Sequence, residues 1–407
     1  WRMAFALEDL EQAATACDGR VLADRLGMVD LKDQSPKSFP DVSHLLPRAA
    51  RWMGDATWGD MLAEYLETMQ QIGKGDWAEA YKHISAGYLK LLSIFTTEEE
   101  TSWLMPLVHQ TTLDIRVIAG LADEADQSSG MQHLRDCSEK LSKGFSACWN
   151  DRTDIRSVES KRRGVVYLVN NCLKTYFRLG TLRLCKNLIK PLEMPMGGRP
   201  AMITSDFIPK SELVTYKFYV GRLNVLEDKY AEAEECLQYA LANSPSHAMA
   251  NKRKILTYLV PIKLCKGALP SQALLEKYNL VEFMALTKAV RSGNVRSFND
   301  ALLQFQELFI RQGTFLVLEK SKAIVHRNLI KHIDQVDPHK KPQQVNLVKV
   351  KEVFDWLGES LALDEIECIV ANLIFRGLIR GYVSHSKRTL VLSKTNAFPF
   401  DKLKRWD

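Results

Sequence analysis

A change of period at Gly377 constrains the fold of this chain more than any other feature. Before it, Val350, Val353, Phe354 and Leu357 follow i, i+3, i+4, i+7 spacing. Leu363, Ile366, Ile369, Val370, Leu373 and Ile374 repeat the pattern, so two short amphipathic helices are predicted. Gly358 stands after the first, where a helix end favours a residue free to take positive φ. Asp364, Glu365 and Glu367 fall in the first turn of the second, at the positive end of its dipole. After Gly377 the period falls to two: Ile379, Gly381 and Val383 alternate with Arg380, Tyr382 and Ser384. Thr389 to Ser393 then follows a polar turn, which predicts a β-hairpin. With a short strand near Val345 and an earlier helix over about 314–334, the order is that of a winged helix, within 345–394.

Upstream, the apolar pattern is helical almost throughout. Residues 77–95 and 102–122 read as an antiparallel pair, 131–149 as a third long helix, and 165–179 with 181–192 as another pair across Gly180. Four prolines and two glycines in 191–209 predict a surface loop. Residues 211–245 fit one 34-residue tetratricopeptide (TPR) unit. In that register Gly221 occupies the small helix-crossing position, Tyr230, Ala233, Leu237 and Ala240 the packing positions, and Pro245 the end. Tyr176, Phe177, Tyr216 and Tyr219 read as core. Helical segments over 252–267, 271–278, 280–292 and 298–313 continue the series, and no convincing strand precedes residue 344. The expected fold class is mainly α, a TPR-like helical-repeat solenoid followed by a C-terminal winged helix. Residues 1–60 form short helices and a loop, 61–313 the solenoid, 314–394 the winged helix and 395–407 a basic tail.

The charge is uneven. The chain carries a formal +6, and residues 311–407 alone hold 17 Lys and Arg against 11 Asp and Glu. The first 310 residues are therefore neutral, and the whole excess lies in the last quarter, as expected of a surface that meets an acidic partner. No run of 18 apolar residues is present, so no spanning helix is expected. The sequence begins at Trp1 with neither Met nor a charged-then-apolar leader, and reads as a piece of a longer chain. Eight scattered cysteines without a C-x-x-C pair read as a reduced, intracellular set of small core residues.

No catalytic pattern is found: no G-x-x-x-x-G-K, G-x-G-x-x-G, G-x-S-x-G or H-E-x-x-H. The nine histidines are isolated; His326 and His332, six apart on one predicted helix, face different ways and read as surface or hydrogen-bonded residues. No cofactor, metal or small-molecule substrate is expected. The basic residues carry more. Arg376, Arg380, His385, Lys387, Arg388 and Lys394 gather at the end of the last helix and on the hairpin. Lys402, Lys404 and Arg405 extend them into the tail, and Lys340 and Lys341 enter the unit. Charged wings also keep edge strands soluble, but the concentration of the entire net charge here favours RNA or DNA, held mostly through phosphate in a sequence-tolerant, salt-sensitive way. The acidic start of the second helix would repel phosphate, so groove insertion of the helix-turn-helix kind is not expected; the wing and tail are the candidates.

A helical-repeat solenoid running into a winged helix resembles a PCI domain, the scaffold module of the proteasome lid, the signalosome and a translation initiation factor. The strings SWLMPLVHQTTLDIRVIAGLAD (102–123), LVNNCLKTYFRLGTLRLCKNLIKPLE (168–193), NKRKILTYLVPIKLCKGALP (251–270), RQGTFLVLEK (311–320) and DEIECIVANLIFRGLIRGYVSHSKRTLVLSKTNAFP (364–399) are similar to the PCI-bearing subunits of the nuclear transcription-export complex. The likeness spans roughly residues 75–407. It implies a nuclear, non-enzymatic scaffold that works at the nuclear pore and in the cytoplasm. It implies pairing with a larger PCI-domain scaffold protein, binding of the small acidic polypeptide shared with the proteasome lid, and a platform for RNA or DNA in mRNA export. A sister group resembles a signalosome-associated subunit acting in splicing or transcription elongation. A purely protein–protein scaffold is a further alternative. Phe375, Tyr382 and Val391 fall on faces that the patterns leave exposed, so they are expected either at a partner contact or packed on the solenoid.

Overall fold

A computed structural model describes residues 7–28, 45–49, 55–97, 100–126, 128, 130–195, 201–338, 341–399 and the backbone of 405–406. The chain falls into two compact units, Trp1–Tyr219 and Val220–Asp407. Among the described residues no helix is long and apolar enough to cross a membrane.

The first unit consists of α1 (Leu7–Thr15), α2 (Gly19–Leu26), α3 (Leu46–Ala49), α4 (Ala56–Lys74), α5 (Trp77–Thr97), α6 (Met105–Ala125), α7 (Gln132–Trp149), α8 (Val165–Leu179), α9 (Cys185–Glu193) and most of α10 (Lys210–Leu226). Each helix from α4 to α8 packs on the next. The ends are set by local chemistry. Asp55 caps α4 by accepting from the Thr57 amide, and buried Asp123 receives the His133 and Leu134 amides at the start of α7. The expected 77–95 and 102–122 pair is α5 and α6, joined through a 3₁₀ turn at Thr101–Leu104. Pro191 lies inside the last turn of α9, so the loop starts later than the prolines imply. Tyr176 and Tyr216 are buried, whereas Phe177 and Tyr219 are half-buried and pack on each other at 5.3 Å. The part of the 32–47 loop at residues 32–44 lies outside the described residues.

The second unit continues with α11 (Tyr230–Asn243), α12 (Met249–Cys265), a two-residue strand β1 (Leu269–Pro270), α13 (Gln272–Lys277), α14 (Met284–Ser292), α15 (Val295–Gln304), α16 (Gln306–Gln312) and α17 (Phe315–Val336). Then come β2 (Gln344–Asn346), α18 (Leu347–Trp356), α19 (Leu363–Phe375), β3 (Gly381–Ser384), β4 (Thr389–Leu392) and β5 (Arg405–Trp406). The winged order holds: β2, β4 and β3 form one antiparallel sheet with β4 in the middle. Gly358 takes φ +84 just after α18, a conformation that costs a side-chain-bearing residue strain.

Two features depart from the sequence expectation. A strand does precede residue 344: β1 pairs in parallel with β5, Leu269 opposite Arg405 and Pro270 opposite Trp406. Two residues are too few to show alternation, so no pattern announces them. The winged element also has no core separate from the helices before it. Leu256 and Val260 of α12, Phe298 of α15 and Val325 of α17 share one apolar cluster with Val350, Phe354, Ile366, Val370 and Leu390.

The tetratricopeptide register rests on a close approach. A Cβ on Gly221 of α10 would lie 2.8 Å from Cγ of Leu237 on α11. Gly221→Val is therefore expected to destabilise the second unit by about 2 kcal/mol through overpacking, measured as a lower denaturant midpoint. An unchanged midpoint would show that the helices separate at no cost.

Candidate nucleic-acid and partner interface

The basic edge is built on the end of α19 and the hairpin after it. Arg376 follows α19 directly as its C-cap residue, and its amide donates to the Asn372 carbonyl. Arg380 precedes β3, where its amide donates to Ala397 O and its carbonyl accepts from the Ser393 amide, each at 2.8 Å. Lys387 occupies the hairpin turn, and Lys394 follows β4. Arg376, Arg380, Lys387 and Lys394 are exposed and form no ion pair or side-chain hydrogen bond among the described residues. Lys341 is exposed before β2. Lys340, Lys402 and Lys404 lie outside the described residues, and Arg405 is described only as backbone in β5.

The other two cations of the wing are differently placed. Arg388 Nη1 lies 2.8 Å from Asp364 Oδ1 and 2.9 Å from Glu367 Oε1, both in the first turns of α19. His385 Nδ1 lies 2.7 Å from Glu367 Oε2. A carboxylate only accepts, so this ring nitrogen carries the hydrogen. Glu367 is held below the usual carboxylate range by the hydrogen bond from His385 first and by Arg388 second. Asp364, Glu367 and His385 bring one ligand atom each within 4.8 Å of one another, as a cation site would, and Arg388 supplies the cation. The acidic start of α19 is thus not a bare repulsive surface; the wing has folded its own charges onto it. Spacing in the sequence does not reveal this, because the pairs are 18 to 24 residues apart.

The apolar candidates divide into two places. Tyr382 and Val391 are direct cross-strand neighbours on β3 and β4, and Gln344 of β2 continues the row. Leu390 and Leu392 are buried on the opposite face, so this row is the outer face of the sheet, with Tyr382 63% exposed. Phe375, 91% exposed at the end of α19, stands apart from them. It rims a groove of about 470 Å³ between α17 and α19, together with Lys320, Ala323, His326, Ile369 and Arg376. His326, expected at the surface or hydrogen-bonded, instead has its Nε2 buried with no hydrogen-bond partner, and burial pushes its pKa down to about 4. His332 matches the hydrogen-bonded reading, with Nδ1 2.9 Å from the Ser292 carbonyl. Trp356 is a further exposed aromatic, 76% exposed at the end of α18. It falls off the Val350–Val353–Phe354–Leu357 stripe, so the same periodicity that found the helix could have found it.

Residues 202–286 match the family model described as PSMD3-like, N-terminal TPR repeats. The chain is 35% identical over 348 residues to PCI domain-containing protein 2 of Danio rerio, covering 84% of each sequence. It is 33% identical over 400 residues to the PCI domain-containing protein 2 homolog of Drosophila melanogaster, covering 97% of each. A third relative, the Protein CSN12 homolog of Neurospora crassa, is 32% identical over 373 residues, 83% of this chain and 81% of that protein.

Proposed function

The chain belongs to the PCI domain-containing protein 2 family, and from that premise we propose a non-enzymatic scaffold subunit of a nuclear complex that couples transcription to mRNA export. In this reading it pairs with a larger PCI-bearing scaffold protein, takes up the small acidic polypeptide, and presents its winged edge to RNA or DNA. It acts in the nucleus and at the nuclear pore, with a cytoplasmic pool. The observation that carries the nucleic-acid part is the set of exposed, unpaired cations Arg376, Arg380, Lys387 and Lys394 on one end of the winged element. Their contacts are to phosphate, which makes binding sequence-tolerant and steeply dependent on salt. The outer row Gln344–Val391–Tyr382 with the edge strand β3 supports the protein-pairing part, because an unpaired strand edge beside exposed aromatic surface suits a second sheet or helix. The basic tail adds less than the sequence implied, since β5 is committed to β1.

A second reading is a signalosome-associated subunit acting in splicing or transcription elongation. The two relatives named CSN12 homolog, from Neurospora crassa and Mycosarcoma maydis, favour it. Purifying the chain with its bound partners from cells and identifying the large partner decides between the two. Charge reversal tests the nucleic-acid part in either case. Lys387→Glu with Arg380→Glu is expected to weaken single-stranded RNA binding about 10- to 100-fold and to flatten the log–log salt slope by about 1 to 2. Unchanged affinity and slope would leave a protein–protein scaffold whose basic wing serves solubility.

A further inference from the structure

The wing holds six candidate cations or near-cations, yet two of them are already spoken for inside the molecule. We propose that Asp364 and Glu367 act as built-in competitors for polyanion at the wing, holding Arg388 and His385 until a phosphate-dense ligand displaces them. The proposal rests on the nucleic-acid reading above and adds the residues that set how much of the wing is available to the ligand.

Three observations support it. The first is geometric. One guanidinium nitrogen, Arg388 Nη1, reaches both carboxylates at 2.8 and 2.9 Å, while His385 takes the other oxygen of Glu367 at 2.7 Å. The oxygens occupy the positions that ligand phosphate oxygens would take, since both offer charge-assisted acceptors to the same donors. The second is exposure. The side chains of Asp364 and His385 are 77% and 72% exposed, so solvent and ligand reach the cluster. Exposed ion pairs are cheap to open, and a ligand that offers several phosphates at once can replace two carboxylates. A lone anion gains too little. The third is backbone. Arg388 sits at φ +48, a left-handed conformation unusual for a long side chain, between a turn bond to the His385 carbonyl and a bond from the Leu347 amide. The hairpin turn thus aims Arg388 at α19, while Lys387, its neighbour in the turn, remains unpaired.

Competition makes a specific prediction about coupling. In the unaltered chain Arg388 is masked, so Arg388→Gln changes RNA affinity less than twofold. Asp364→Asn with Glu367→Gln releases it, tightening binding of a homopolymeric uridine RNA about tenfold and steepening the salt slope by about 1, one further phosphate contact. Adding Arg388→Gln to that pair abolishes most of the gain. Glu367→Gln alone, which leaves Asp364 beside Arg388, gives an intermediate gain and guards against misfolding of the double variant. A control, Glu319→Gln with Glu352→Gln, removes the same formal charge from exposed positions outside the cluster.

The experiment is fluorescence anisotropy of the RNA with the full chain across a salt series, read as a double-mutant cycle. An equal effect of Arg388→Gln in both backgrounds overturns the proposal, and so does an equal gain from the control pair, which would mean that total charge alone matters. RNA binding that is absent, or insensitive to Lys387→Glu with Arg380→Glu, instead overturns the underlying nucleic-acid reading and the proposal with it.

Discussion

Phe398→Ala is expected to destabilise the second unit by about 4 kcal/mol, the upper range for truncating a buried aromatic side chain. Phe398 is 5% exposed and lies within the apolar cluster shared by α12, α14, α17, α18 and α19. Its ring faces the guanidinium of Arg327 at 5.3 Å, and its carbonyl accepts from Arg327 Nη2 at 3.1 Å. Arg327 is itself only 2% exposed; Nη1 donates to Asn328 Oδ1 at 2.8 Å, and Asn328 Nδ2 donates to the Val290 carbonyl of α14 at 2.6 Å. Truncating the ring therefore removes apolar contact, weakens a cation–π pairing and leaves a buried charge less well covered. Arg327→Met is expected to cost less than Phe398→Ala, because it removes the charge together with its desolvation penalty. Chemical denaturation followed by circular dichroism, resolving the transition of the second unit, measures both. A loss below about 1 kcal/mol for Phe398→Ala would show that the segment after β4 is not part of the core.

That strap is where the sequence was least legible. The stretch after residue 394 is short, basic and without period, and reads as a solvated tail. Its structural role depends on two backbone pairings, Arg380 with Ala397 and β5 with β1, and on one buried guanidinium more than 60 residues away in the chain. None of these leaves a local signature. The helices and the hairpin were legible because burial on one side imposes a period, and each stripe from Val350 to Ile374 is buried or half-buried as its spacing requires. Burial class is less legible for single polar residues. Arg327 and His326 sit on a helix whose pattern does not distinguish them from exposed neighbours, although both are largely removed from water. The candidate edge was half legible: the residue types were readable, but which cations are free depends on tertiary pairing. The acidic turn of α19 satisfies Arg388 and His385 and leaves Lys387 and Arg380 unpaired.

Lowering the pH from 7.5 to 5 is expected to destabilise each unit by about 2 kcal/mol through one buried histidine apiece, His109 in the first and His326 in the second. Burial pushes both down from the usual 6.5 to about 4. A histidine with a lowered folded pKa contributes stability that is fully present above 6.5. Below that the unfolded chain takes up a proton that the folded chain refuses, and stability falls until the folded site also titrates near 4. At pH 5 the ratio of the two binding polynomials gives about 2 kcal/mol per site, and the full shift corresponds to about 3 kcal/mol. Asp136, Asp151, Glu234 and Glu359 have depressed pKa values, so their contribution is lost only as pH falls below the unfolded carboxylate range near 4. The window between pH 6.5 and 5 therefore belongs to the histidines. His109 stacks on Tyr167 at 4.2 Å, and His326 packs edge-on against Phe354 at 5.4 Å. A flat, non-titrating replacement therefore keeps much of the packing at each site. His326→Phe is expected to remove the pH dependence of the second transition in that window while leaving the first intact, and His109→Phe the reverse. Urea midpoints measured at half-unit steps of pH read the slopes directly. Transitions of the unaltered chain that do not move between pH 7.5 and 5 would mean that both imidazoles reach water, and that the groove between α17 and α19 admits solvent to Nε2 of His326.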